Sequence, residues 1–567
     1  MVDYTSTDFN IKKLGCFYDK EKTIFRVFAP ESESVFLVIG NNKYLMHKNA
    51  YIFEIGLKGD LELVKYHYEN NDGVSYRDPF AYYSDQEDSY VLDTNKFEKS
   101  VVVPNRLKDV IIYETSVRDF SSDKSVTFNY PKKFLALAQE GLRINDNYTV
   151  GLDYLKELGI THLQLMPTFE FDKDKSDYNW GYNPLCFNYL ERDYVVDANN
   201  PYAYINEFRE VVNKIHEAGI RVVLDVVLNH VYKANRYDLD KMLKGHTFRY
   251  KEDGTLAEGT FCGNEINTED PFVKAYLVEM MSRCLSLYDI DGLRMDLMGI
   301  LDIETVNEIS KLNIYKEEFI VYGEGWNMGD VLPEDRRATS MNADKMRHVG
   351  FFNDFFRDNI IKYVCGGIEI KEDIKKCLDG NNINLRYGQS INYVECHDNM
   401  TFYDRILKAF PDESDIDKKN RCKLALSLCI LARGIPFIHS GQEFLRTKNM
   451  QDNSYNTGDE INKLDWNRRC EFDDVIKYTK ELIEFRRAYD EFNGSDVNIW
   501  FEDYYECLIY HLGDYMIVIN PIEYEHTFAD SEMYNVLFDS NGKVCYSSDV
   551  IKIPAHSLVI LRKSYII

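Results

Sequence analysis

Tryptophan and proline are scarce, with 4 Trp and 13 Pro among 567 residues. Long Pro-rich linkers and collagen-like segments are excluded on that count. No apolar run reaches the ~18 residues that a bilayer-spanning helix needs, so no membrane partner is expected. Basic residues are in deficit: 67 Lys and Arg against 94 Asp and Glu leave a net charge of −27. A field of that sign repels polyphosphates, which excludes nucleic acid as the expected partner. The 12 cysteines lack the close pairs of a zinc site or redox motif. No HExxH or GxSxG motif is present, and no Gly-rich phosphate loop follows a strand candidate. The first ten residues are polar, without a basic stretch leading into an apolar run, so no secretory leader is expected. The expected location is a cytoplasm in which the thiols stay reduced.

Aromatic residues are abundant instead, with 42 Tyr and 33 Phe. A tyrosine ring can cover the C–H face of a pyranose, and it serves equally well as core and sheet filler. Residues 1–100 hold short alternating runs at 23–30, 34–39, 51–56 and 63–68, the rhythm of a small β-sandwich. From residue 110 the rhythm changes to apolar strand candidates separated by helical patterns. Eight such runs start near 110, 162, 221, 292, 319, 348, 391 and 436. Parallel strands covered on both faces read this way. The fold class expected is multidomain α/β, with a (β/α)8 barrel over 101–490 and all-β domains at 1–100 and 491–567. A doubly wound sheet is the rival. The junction at 101–108 is too short for a flexible tether, so the first domain is expected to dock on the barrel. The acidic stretch 412–417 reads as a solvated loop.

In a barrel the chemistry sits at the C-terminal strand ends. Four of the runs end in ionisable groups: Asp225 to His230, Arg294 and Asp296, Glu324, and Glu395 to Asp398. Arg294 stands two residues before Asp296, so both side chains share one face of the strand. A fixed cation there would hold Asp296 ionised, as a nucleophile requires. Glu324, flanked by glycines and an aromatic residue, suits a partly desolvated proton donor. Glycoside hydrolysis needs this pair, a carboxylate and a carboxylic acid. His230, His397 and Asp398 are polar groups able to grip sugar hydroxyls.

Four segments, LDVVLNH, DGLRMDLMG, VYGEGW and VECHDN, resemble the four signature regions of the α-amylase family of glycoside hydrolases, family 13. The heptapeptide YNWGYNP at 178–184 is similar to the hallmark of type I pullulanases, which cleave α-1,6 branch linkages. The stretches at 113–121, 351–354 and 453–456 resemble that subfamily too. The segment FRVFAP resembles carbohydrate-binding module family 48. The resemblance implies Asp296 as nucleophile, Glu324 as general acid/base and Asp398 as transition-state stabiliser. It implies that Arg294, His230 and His397 hold the sugar and that Tyr182 stacks beneath it. Asp225 and Asn229 would brace the third strand end, and Trp326 would form a leaving-side platform. Leu228, Met295 and Cys396 depart from the family's usual Tyr, Phe and Ser. The family's calcium site usually lies near 231–269, and its ligands are not legible here. No cofactor is expected for the chemistry; structural calcium and oligomeric state stay open. The expected partner is a branched α-glucan such as pullulan, glycogen or a limit dextrin. Three alternatives remain at this point: an isoamylase or glycogen-debranching specificity, a branching or transglycosylating enzyme, and a non-catalytic glucan-binding protein.

Overall fold

The computed structural model describes residues 10–563, apart from 101–108, 174–175, 315, 317–318, 330, 381–383, 493–496, 530–533, 542–545 and 548–549. The junction at 101–108 and the start of the chain thus lie outside the described residues. Eight parallel strands close a barrel: β1 (Ile112–Thr115), β2 (His162–Leu165), β3 (Arg221–Val226), β4 (Gly292–Met295), β5 (Ile320–Gly323), β6 (Val349–Phe352), β7 (Ser390–Asn392) and β8 (Ile435–His439). On β1, Ile112 lies opposite His162 of β2 and Phe437 of β8, which completes the ring. Every residue of β3 is buried. One face of such a strand meets the barrel interior and the other meets helices, so a continuous apolar run is required. Ile112, Val223, Tyr322, Phe352, Ile391, Tyr393 and Phe437 fill the interior as one cluster, a packed core and not a pore.

The covering helices start where the sequence can cap them. Asn200 accepts from the N–H groups of Tyr202 and Ala203, and Pro201 takes the first turn of the helix Pro201–Glu217. Tyr204, Ile205, Phe208, Val211, Val212 and Ile215 form its buried stripe. Asp270 and Pro271 open the helix Pro271–Tyr288 in the same way. The acidic stretch at 412–417 is partly helical and not all loop. Ser414 caps Asp415–Leu431, and Asp415 and Asp417 sit in its first turn, where the helix dipole favours negative charge.

The first domain is a two-sheet β-sandwich. Gly15–Phe17, Lys22–Phe28, Ile52–Lys58 and His47–Asn49 form one sheet; Asn42–Leu45, Val35–Ile39, Lys65–Asn70, Ser75–Tyr76 and Ser89–Tyr90 form the other. It is docked on the barrel domain. The Phe28 ring stacks on Phe272, with centroids 4.4 Å apart and planes within 11°. Arg77 is buried between Glu170 (3.0 Å) and Asp238 (2.7 Å). A buried, bridged arginine fixes the relative position of the two domains, because moving it would strand three charges. Beyond the barrel, a five-stranded antiparallel sheet and a three-stranded one enclose Cys507, Ile509, Met516, Val518, Ile551, Ile553, Val559 and Leu561.

Candidate active site

At the mouth formed by the C-terminal strand ends lies an open cavity of about 520 Å³. Tyr182, Asp296, Glu324, Trp326, His397 and Asp398 line it. Asp225, Asn229, His230 and Arg294 stand behind that wall, each at most 1% exposed.

Arg294 joins the charged groups into one unit. Its guanidinium donates to Asp225 Oδ1 (2.9 Å), to Asp296 Oδ1 (3.2 Å) and to Glu324 Oε1. Asn229 Nδ2 donates to Asp296 Oδ2 (3.0 Å) and to the Asp296 carbonyl (2.6 Å). Both carboxylate oxygens of Asp296 are therefore held, which fixes the rotamer. Asp225 Oδ2 accepts from the Tyr182 hydroxyl at 2.7 Å, so the third strand end orients the arginine and the tyrosine together. Burial pushes the Asp225 carboxyl up to about 6, against the pull of Arg294.

Glu324 is built for a different protonation state. Burial raises its pKa to about 8; Arg294 opposes this, and the charges of Asp296 and Asp398 add to it. Its Oε2 accepts from the Leu297 N–H at 3.0 Å. Leu297 sits at φ +39°, a left-handed conformation costing a non-glycine residue ~1 kcal/mol, and that turn aims its N–H at the carboxyl. The flanking glycines are there for clearance. A Cβ on Gly323 would stand 2.4 Å from the Met295 carbonyl, and one on Gly325 2.5 Å from the Phe351 ring.

His397 and Tyr182 form the floor. Their rings stack with centroids 4.9 Å apart and planes within 15°. His397 Nδ1 meets Glu114 Oε1 at 2.8 Å, and its backbone N–H donates to Glu114 Oε2 at 2.9 Å. Burial lowers the affinity of His397 for its proton, but Glu114 outweighs it and holds the imidazolium up to about 9. Glu114 is held in turn by Gln164 (3.0 Å), which accepts from the Tyr322 hydroxyl (2.6 Å). Asp398 is the open member of the set, its side chain 40% exposed and 3.8 Å from His397 Nε2. His230 is enclosed: Nε2 faces the Tyr182 carbonyl (3.2 Å) and Cys262 Sγ (3.6 Å), and burial lowers its pKa.

The pair Glu114–His397 carries a prediction. Folded His397 titrates near 9, above the ordinary 6.5 of an exposed imidazole, so the pair stabilises the fold fully below pH 6.5. That contribution is lost as pH rises through 9. Glu114→Gln should lower unfolding free energy by about 3 kcal/mol at pH 6, as for a broken buried pair. Urea unfolding at pH 6 and pH 9 checks this. The deficit should shrink at pH 9, and an equal deficit at both would contradict the assignment.

Trp180, Tyr232, Phe261, Cys262 and Tyr455 also face the cavity. Trp180 and Tyr455 fall in the stretches 178–184 and 453–456 singled out above, whereas Tyr232, Phe261 and Cys262 carry no signal in the sequence pattern. Glu114 could have been found, since it closes the first barrel strand as the other ionisable groups close theirs. Among the described residues no group of three or more His, Cys, Asp or Glu is arranged to hold a metal ion. Within 231–269, Glu265 accepts from Arg249 and from the Gly259 N–H, and Asp238 accepts from Arg77. A second cavity, of about 480 Å³, lies between the first domain and the barrel. Arg77 pairs there with Glu170, and His67 with Asp88.

Residues 130–253 match the model of the alpha amylase catalytic domain, and residues 13–95 match carbohydrate-binding module 48, the isoamylase N-terminal domain. Pullulanase of Bacillus subtilis (strain 168) is 34% identical over 543 residues, spanning 88% of this chain and 74% of that protein. The chain belongs to the pullulanases, the α-1,6 debranching glycoside hydrolases of the α-amylase family. Isoamylase 1 of Arabidopsis thaliana is more distant, 25% identical over 474 residues, which span 69% of this chain and 58% of that protein. The pullulanase of Anoxybacillus sp. LM18-11, solved with maltotetraose, superposes with a TM-score of 0.92 at 31% identity, covering 98% of this chain and 88% of that one. No helix among the described residues is long and apolar enough to cross a membrane.

Proposed function

We propose that this pullulanase cleaves α-1,6 branches of pullulan, glycogen or limit dextrins by retaining double displacement. The observation that carries the reading is the single guanidinium of Arg294 bonded to both Asp296 and Glu324. That one cation holds at the strand ends the carboxylate and the carboxylic acid that glycoside hydrolysis needs. Glu324, protonated near neutral pH, gives its proton to the glycosidic oxygen. Asp296 attacks the anomeric carbon, the bond to that oxygen breaks, and a glycosyl ester forms. Glu324, now a carboxylate, takes a proton from water; the water oxygen attacks the same carbon and releases Asp296. Asp398 and the His397 imidazolium bind hydroxyls of the distorted sugar, and the Tyr182–His397 pair stacks beneath it. Trp326 offers a ring face on the leaving side. Asp225, Asn229 and the enclosed His230 position the reacting groups without reaching the cavity themselves.

No cofactor enters these steps. The eleven described cysteines stand unpaired, which supports a reducing cytoplasm as the place of action. Chromatography of a pullulan digest tests the linkage. Maltotriose as the product is the expected result. Panose would mean α-1,4 cleavage, longer or rebranched chains would mean transfer, and an unchanged polymer would mean a binding protein.

A further inference from the structure

Phe261 is 88% exposed, the highest value among the large hydrophobic side chains described, and it lines the catalytic cavity. Its φ is +60°. A side chain there crowds the following carbonyl, and glycine would hold the same turn without strain. The ring is not compensated by burial, since almost all of it is open. An aromatic residue kept in a strained, exposed position on a cavity wall has no account in the fold itself.

The loop beneath it is tied by its own hydrogen bonds. The Thr260 hydroxyl donates to the Gly263 carbonyl at 2.9 Å and accepts from the N–H groups of Cys262 (3.2 Å) and Gly263 (3.1 Å). Gly259 N–H donates to buried Glu265 at 2.8 Å. A Cβ on Gly259 would lie 2.4 Å from Gly329 Cα, and one on Gly263 2.5 Å from the His230 ring. The loop is thus wedged between the segment after Trp326 and the third strand end. It presents Phe261 to the cavity at little further loss of freedom on binding.

We propose that Phe261 is a specificity-determining platform whose ring face covers a glucose unit of the bound α-glucan outside the cleavage position. The proposal rests on the glucan-hydrolase reading above. The C–H face of a glucose ring is apolar and flat enough to stack on an aromatic face. The floor beside Asp296 and Glu324 already belongs to Tyr182 and His397. Phe261 stands at the open rim with Tyr232, Trp326 and Tyr455 lining the same cavity, where chain units beyond the cleaved bond must pass. Contact there acts on ground state and transition state alike, so it lowers KM without changing kcat.

The test compares the full-length protein with Phe261→Ala, Phe261→Gly and Phe261→Trp on pullulan. KM should rise about tenfold in the Ala and Gly variants, with kcat within twofold of the parent. Phe261→Trp should keep KM near the parent value. Phe261→Gly should melt at or above the parent temperature, because it removes the strain, so lost binding there is not lost folding. An unchanged KM in both Ala and Gly variants would overturn the platform. So would a fall in kcat at constant KM, or an equal KM rise in the Trp variant. If the parent protein itself leaves pullulan uncut, the functional reading fails, and that outcome is distinct from failure of the platform.

Discussion

Asp296→Ala should abolish turnover of pullulan, by about 10⁵-fold in kcat, while the melting temperature stays within a few degrees of the parent. The first half follows from chemistry: the covalent step has no other carboxylate placed to attack, and losing a catalytic group that works within a unit costs that order. The second half follows from the contacts. Arg294 keeps Asp225 and Glu324 as partners, and Asn229 keeps the carbonyl of residue 296. The variant also removes a negative charge that raises the pKa of Glu324. Initial-rate assays with a melting curve check both halves. Activity within tenfold of the parent, about 1.4 kcal/mol, would contradict the nucleophile assignment.

Glu324→Gln should lower kcat on pullulan by about 10³-fold, the usual range for a lost general acid. An aryl glucoside with an acidic leaving group should lose far less in the first step, because it departs without a proton. The parent should lose activity as pH rises through about 8, where Glu324 gives up its proton, and the variant should lack that limb. Stability moves with it. The folded state keeps a proton on Glu324 that an unfolded Glu loses near 4.5, so native stability falls between pH 4.5 and 8 and is level above. Gln carries no such penalty. The melting temperature of Glu324→Gln relative to the parent should therefore climb across that window and then flatten. A difference independent of pH, or an alkaline limb that survives the substitution, would contradict the role of Glu324.

The parts legible in the sequence are those governed by short periods. Arg294 and Asp296 share a face because a strand alternates, and the structure places both on one guanidinium contact. The eight apolar runs are legible because strands covered on both sides admit little else. The apolar run that starts at 221 continues through Leu228, but β3 ends at Val226, and the next residues leave the sheet to carry Asn229 and His230 inward. What escapes is set by distant segments. The enclosure of His230 depends on Cys262 and Gly263, some thirty residues on, folding over its ring. The partnership of Glu114 with His397 joins β1 to the end of β7 across 283 positions of sequence. No local pattern encodes either contact. Phe261 escapes for a different reason: a strained loop residue has no period, and only its exposure beside the carboxylates sets it apart.

The central claim is that Asp296 and Glu324, joined through Arg294, act as nucleophile and acid/base of a retaining α-1,6 hydrolase. Proton NMR of a pullulan digest in its first minutes tests this most directly, by reading the anomer of the new reducing end before mutarotation. Two displacements at one carbon restore the original configuration, so the α-anomer of maltotriose should appear first and decay toward the equilibrium mixture. A first-formed β-anomer would mean direct attack by water and would contradict the account.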